Sequence, residues 1–202
     1  MNADLWQSHL IFAFFAFLIT PGFRLGPALQ ILRLLALLAL SFVPLAGLSL
    51  ADYVHSFTGD AAVTTLLALA YLTVVRVGFA PKLRNEARLQ IVAVMAALAL
   101  FLYPATMGLS YLDPYRLGFQ PRLLISVIGV VALVLLALGN RLGACMLGLA
   151  TLAFSLGIKS STNYWDYLID PFIAFYSCAA VVAYAVRVIR RKGVAGELQQ
   201  PV

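Results

Sequence analysis

Charge is scarce in this 202-residue chain: 11% of its residues are Asp, Glu, Lys or Arg, against about 25% in ordinary soluble domains. So few charges cannot build the polar shell of a water-soluble fold in which 63% of residues are hydrophobic. Histidine is almost as scarce. The two present, His9 and His55, could form only one axial pair near one surface, which argues against a b-type haem. Two cysteines, Cys145 and Cys178, lie inside apolar runs with no CxxC and no partner at metal spacing, so neither a disulfide framework nor a zinc site is expected. Serine elbows, His-Glu-x-x-His and phosphate-cradling Gly-rich loops with lysine are also missing. No cofactor and no metal is expected on these grounds.

The formal net charge is +6, yet the cations are spread over the ends of apolar segments rather than gathered on a polar face with interleaved aromatics. Nucleic acid is therefore not an expected partner; membrane lipids are. The N-terminus has no basic stretch, carries Asp4 and shows no small-residue cleavage site after Ile19, so its first apolar run reads as a retained span.

About 20 apolar residues are needed to cross the hydrocarbon core. Seven windows approach that length: residues 5–23, 32–50, 61–79, 89–109, 123–138, 142–158 and 168–188. The expectation is an all-α polytopic transmembrane bundle, a single domain over residues 1–192 followed by a flexible cytoplasmic tail at 193–202. Basic residues are retained on the cytoplasmic side. Arg24, Arg33, Arg76, Lys82, Arg84, Arg88, Arg141, Arg187, Arg190, Arg191 and Lys192 fall on one side, while only Arg116, Arg122 and Lys159 fall on the other. This bias predicts an outside N-terminus and a cytoplasmic C-terminus, in a bacterial inner membrane. Asp4, Asp52, Asp60, Asp113, Asp166 and Asp170 all fall outside. The basic stretch 187–192 is expected to attract anionic headgroups at about 1 kcal/mol per cation.

Residues 29–44 and 89–104 align at an offset of 60, through Leu-Gln-Ile and then Pro44 with Pro104. After a one-residue shift, Gly47-Leu48-Ser49 and Asp52 answer Gly108-Leu109-Ser110 and Asp113. The pattern predicts a duplicated two-helix unit, with spans one and two paired as spans three and four are.

Unusual residues collect in the outer loops: Asp52, Tyr53, His55 and Asp60; Tyr111, Asp113, Tyr115 and Arg116; Lys159 and the run from Asn163 to Asp170. Clustered carboxylates can hold a divalent cation or share a proton. Asp52, His55, Asp113 and Asp166 are the candidate catalytic residues, with His55 as the general base. Simpler roles compete. Asp113-Pro114 and Asp170-Pro171 have the form of a helix cap followed by a first-turn proline, and Trp165 with the tyrosines reads as an interfacial aromatic belt.

With the membrane interior nearly free of ionisable groups, the leading expectation is an accessory subunit of a cell-envelope enzyme or transport assembly, docked to a larger membrane protein through its outer face. Two alternatives stand beside it. One is an outer-leaflet enzyme acting on a lipid or lipid-linked substrate; the other is a carrier for a neutral or amphipathic molecule, with a cavity lined by Thr64, Thr65 and Ser126.

Overall fold

The computed structural model describes residues 5–23, 25–109 and 113–197. Asp4, Arg24, Ser110 and Tyr111 lie outside the described residues, as do the side chains of Lys192 and Glu197. Among the described residues the architecture is all-helical apart from one hairpin of two-residue strands. The helices are α1 (Leu5–Ile19), α2 (Pro27–Ser41), α3 (Leu50–Thr58), α4 (Val63–Val77), α5 (Asn85–Thr106), α6 (Arg122–Ala137), α7 (Arg141–Ser155), α8 (Trp165–Leu168) and α9 (Pro171–Glu197). A 3-10 helix, Pro114–Gly118, precedes α6, and strands β1 (Pro44–Leu45) and β2 (Leu48–Ser49) pair antiparallel between α2 and α3.

Each of the seven apolar windows contains a helix, but most of these helices are shorter than their windows. Two segments, Asn85–Thr106 and Pro171–Arg191, are long and apolar enough to cross a membrane. The other five apolar helices have 10–17 residues; at 1.5 Å per residue, even the longest reach only about 25 Å. The second window is displaced most. Its helix starts at Pro27, where a proline costs nothing because its missing N–H would be an orphan, and ends at Ser41. Pro44 then cannot continue the helix, and the chain turns through Ala46 and Gly47, both at positive φ, into β2 and α3. Helix α3 was not expected at all; a Ser49/Asp52 capping box starts it.

Helix α1 packs on α2, α3 and α4, α5 packs on α9, and α6 packs on α7, while α7 joins the three groups through its contacts with α4 and α5. This arrangement differs from the expected duplication, because α4 packs on α1 and α7, and α5 on α9, rather than α4 and α5 repeating the α1–α2 pair. The core is built from Met95, Ala99, Ile128, Met146, Leu147 and Ala150, closed at one end by Tyr164, Trp165, Tyr167 and Leu168.

Buried polar groups set the register of the bundle. Asn140 caps α7 through Gly143 N–H (3.0 Å) and sends its amide to Ala87 O (2.9 Å) and Gln90 (3.0 Å), tying the α6–α7 turn to α5. At the end of α1, orphan carbonyls receive two guanidinium groups. Arg76 donates to Phe17 O (2.8 Å), Leu18 O (2.5 Å) and Thr20 O (2.5 Å), and Arg33 donates to Phe17 O (2.7 Å) and Thr20 O (3.1 Å). Both cations lie over the Phe17 ring.

Candidate functional site

The segments bearing Asp113 and Asp166 meet at the end of the bundle where α4 and α9 begin, while Asp52 and His55 lie on α3, which packs on α1. Tyr164, Trp165, Tyr167 and Leu168 are all buried there, so the aromatics fill the mouth of the bundle instead of ringing it as a belt. Lys159 is 4% exposed, and its ammonium reaches Ala61 O and Asp166 O, both at 2.9 Å, beneath the Tyr167 ring. Tyr167 in turn takes Lys159 N–H (3.1 Å) and donates to Lys159 O (3.0 Å). The loop is thus folded onto its own lysine.

Asn163 joins this plug to the 3-10 helix. Its amide donates to Tyr115 O (3.1 Å), its carbonyl takes Trp165 N–H (3.0 Å), and Tyr164 N–H reaches Gly118 O (3.0 Å). The Trp165 indole donates to Pro114 O (2.8 Å). The junction admits no side chain at position 118: a Cβ there would stand 1.7 Å from Asn163 Oδ1.

The candidate carboxylates are each engaged separately. Asp52 accepts Ser49 N–H (2.9 Å) and Ser49 Oγ–H (2.7 Å), and this hydroxyl and N–H hold its carboxyl below the usual range. Asp113 is exposed and caps the 3-10 helix through Arg116 N–H (3.3 Å). Asp166 accepts from Ser161 (2.5 Å) and from the Tyr115 hydroxyl (3.2 and 3.3 Å). Burial, and then the negative charge of Asp166, push the Tyr115 phenol above its ordinary value. Burial likewise raises Tyr164, partly countered by its 2.5 Å bond to Thr151.

His55 shares α3 with Asp52, close enough for its charge to help lower the Asp52 carboxyl, and has Nδ1 at 3.1 Å from the Ser8 hydroxyl and 3.6 Å from Asp60 Oδ1. His9 bonds Ser41 (2.9 Å) and stacks on Phe42, so the two imidazoles have separate partners. No hydrogen bond or ion pair joins any two of Asp52, His55, Asp113 and Asp166. Among the described residues, no three His, Cys, Asp or Glu side chains gather at metal-binding spacing.

Asp170 has a larger structural role than its sequence context indicated. One carboxylate oxygen caps α9 through Ile173 N–H (2.9 Å), as an Asp-Pro pair predicts, and the other takes Ala62 N–H (2.8 Å) at the start of α4. Thr64 adds a bond from α4 to Leu168 O (2.7 Å). The Thr64 hydroxyl is spent there, Ser126 is bonded to Arg122 O (2.9 Å) on its own helix, and the Thr65 hydroxyl is buried without a hydrogen-bond partner. Comparison with protein-family models, curated proteins and solved structures finds no match to this chain.

Proposed function

We propose that the chain is a seven-span, non-catalytic membrane component of a bacterial inner membrane, with the Asp166 end extracytoplasmic and the C-terminus cytoplasmic. Support for multiple spans comes from the outward face of the bundle. Helix α6 alone exposes Leu123, Val127, Val130, Leu133, Val134 and Leu136, and α9 exposes Phe172, Phe175, Val182, Val186 and Ile189. Apolar patches of that extent are rare on water-soluble monomers. In this reading the short helices cross a locally thinned bilayer or are extended by flanking residues. The repeated sequence marks a shared local device more than a duplicated helix pair: Gly47 and Gly108 both turn at positive φ before an aspartate in the cap of the next helix, Asp52 as the third residue of a Ser49 capping box and Asp113 as the N-cap itself.

The observation that carries the non-catalytic reading is the separate structural engagement of the candidate acids. Asp52, Asp113 and Asp166 accept bonds from caps, hydroxyls and a phenol, and no pair of them is arranged to exchange a proton. An outer-leaflet enzyme needs such a pairing, or a base directed at a substrate cavity. The packed plug instead presents a rigid outer surface suited to docking against a larger envelope protein.

Purification in mild detergent tests this reading. A stoichiometric membrane partner, lost when surface residues of the plug are substituted, is the expected result. Full retention of phenotype by a chain that never holds a partner would overturn it, as would its loss in His55→Ala with the partner still bound. Sidedness is tested separately. Cysteine labelling should place position 166 outside and position 84 inside; labelling of both from one side overturns the topology.

A further inference from the structure

A groove of about 490 Å³ runs between α4, α5, α7 and α9, with its basic mouth at the end opposite the plug and its walls reaching Ile173 and Ser177 in the first two turns of α9. Ala68, Leu72, Val75, Ile91, Val92 and Met146 supply apolar walls, and Lys82, Asn85 and Arg88 stand at its basic end. A second cavity of about 290 Å³ adjoins it, sharing Asn85, Arg88 and Val92 and adding Tyr184, Arg187 and Arg191. Four cations therefore border these two adjoining cavities, the larger of which has mainly apolar walls. Among the described residues, no carboxylate pairs with Lys82, Arg88, Arg187 or Arg191; the one nearby acid, Glu86, is bonded to Arg84 at 2.7 Å. Arg88 is held over the groove by a 2.7 Å bond to the Tyr176 hydroxyl, and Tyr176 is itself a wall residue.

Two further observations point to an occupant. Ser177 lines the groove, is 1% exposed, and its hydroxyl has no hydrogen-bond partner. A buried hydroxyl left without a partner is costly, and a ligand oxygen accepting from it would recover that cost. The N-terminus of α5 also opens at the basic mouth, and no side chain caps it, so its orphan N–H groups favour an anion.

We propose that this groove is a binding site for an anionic glycerophospholipid, with the phosphate headgroup between Arg88, Arg187 and the start of α5 and an acyl chain along the apolar walls. The ester oxygens lie at the depth of Ser177. A soluble phosphate would leave the hydrocarbon walls empty, and a zwitterionic lipid would bring its own ammonium group against four cations. The inference rests on the membrane reading above.

Native mass spectrometry of the full chain, released from nanodiscs of either phosphatidylglycerol or phosphatidylcholine with identical acyl chains, tests it. The expected result is one retained phosphatidylglycerol and markedly less retained phosphatidylcholine. Each cation beside an anionic headgroup is worth roughly a fivefold factor, so Arg88→Gln with Arg187→Gln should lower phosphatidylglycerol retention about 30-fold. The charge-matched pair Arg141→Gln with Arg190→Gln, which lies outside the groove, should lower it less than about threefold because salt screens distant charges. Ala68→Phe, which fills the groove without changing charge, should also reduce retention.

Equal retention of the two lipids overturns the proposal, as does an equal loss in the two charge pairs. Displacement of the lipid by glycerol phosphate alone would reassign the groove to a soluble anion and overturn it as well. A chain that fails to enter nanodiscs of either lipid sinks the membrane reading itself, so the two failures are distinguishable.

Discussion

Gly118→Ala is the smallest change that should dismantle the plug. The added methyl would stand 1.7 Å from Asn163 Oδ1, 2.7 Å from Asn163 Cγ and 2.8 Å from Trp165 Cδ1, all shorter than any real Cβ contact. Asn163 must therefore move, and three hydrogen bonds move with it: Asn163 to Tyr115 O, Trp165 N–H to Asn163, and Tyr164 N–H to Gly118 O. At about 1 kcal/mol for each bond, with an added penalty for any group left buried and unpaired, the loss is about 3–5 kcal/mol. For a chain of this size that lowers the melting temperature by roughly 10 °C. Trp165 is itself the probe, since it is buried against the junction and the chain's other tryptophan, Trp6, can be replaced by Phe. In that background Gly118→Ala should melt early and shift tryptophan emission to the red. Gly148→Ala is the control: it has open space around a Cβ and lies inside α7, so it should be neutral or stabilising by up to about 1 kcal/mol. If Gly118→Ala melts within about 1 °C of its parent with unchanged emission, the packing argument for the plug is wrong.

Asp170→Ala should destabilise by about 2–4 kcal/mol, from a lost cap and an orphaned Ala62 N–H, and should raise hydrogen exchange at the starts of both α4 and α9; exchange confined to α9 would refute the bridging role. Arg76→Met should loosen the end of α1 by about 3–5 kcal/mol, and Lys should restore only part because it lacks the guanidinium fork; protease sensitivity around residues 17–23 reads this out. The raised Tyr115 phenol keeps its proton in the folded state at a pH where the unfolded chain has lost it, so its contribution is intact below about pH 10 and declines as pH rises further. Tyr115→Phe should therefore flatten the alkaline limb of a stability profile followed by absorbance at 295 nm. Finally, α1, α2 and α4 have 15 residues each, so the reconstituted protein should be most heat-resistant in bilayers thinner than about 30 Å and lose stability as acyl chains lengthen.

The apolar runs made the helices legible, because hydrophobic length is a coarse quantity that survives errors of a few residues. Their ends were less legible. A sliding window carried the second segment through Pro44 to residue 50, although proline and the Ser49-x-x-Asp52 signature both mark a stop and a new start there. The caps at Asp113 and Asp170 were readable from local pattern, whereas the bond from Asp170 to Ala62 joins residues 108 apart and leaves no local trace. Interfacial aromatics and buried aromatics have the same composition, so Trp165 and Tyr167 could not be assigned to the core without their partners Pro114 and Lys159. Arg76 likewise read only as one of the cations on the cytoplasmic flank; only the fold brings it to the carbonyls of α1.

The two ends of the bundle differ in what their charges are free to do. At the aspartate end, every described carboxylate has a local partner: Ser49 for Asp52, a backbone N–H for Asp113, Ser161 and Tyr115 for Asp166, two helix starts for Asp170, and His55 within 3.6 Å of Asp60. Those partners are mostly neutral donors, so the acids there are consumed by architecture. At the basic end, Arg33 and Arg76 are similarly consumed by the carbonyls of α1. Lys82, Arg88, Arg187 and Arg191 are different, because they border an apolar groove or the cavity adjoining its basic mouth, with no carboxylate paired to them among the described residues. Uncompensated like charges around a hydrocarbon depression repel one another unless an anion joins them, and in a bilayer the abundant anions with apolar tails are lipids. Ligand chemistry in this protein is therefore to be sought at the groove, even though the residues that looked reactive in sequence lie at the opposite end.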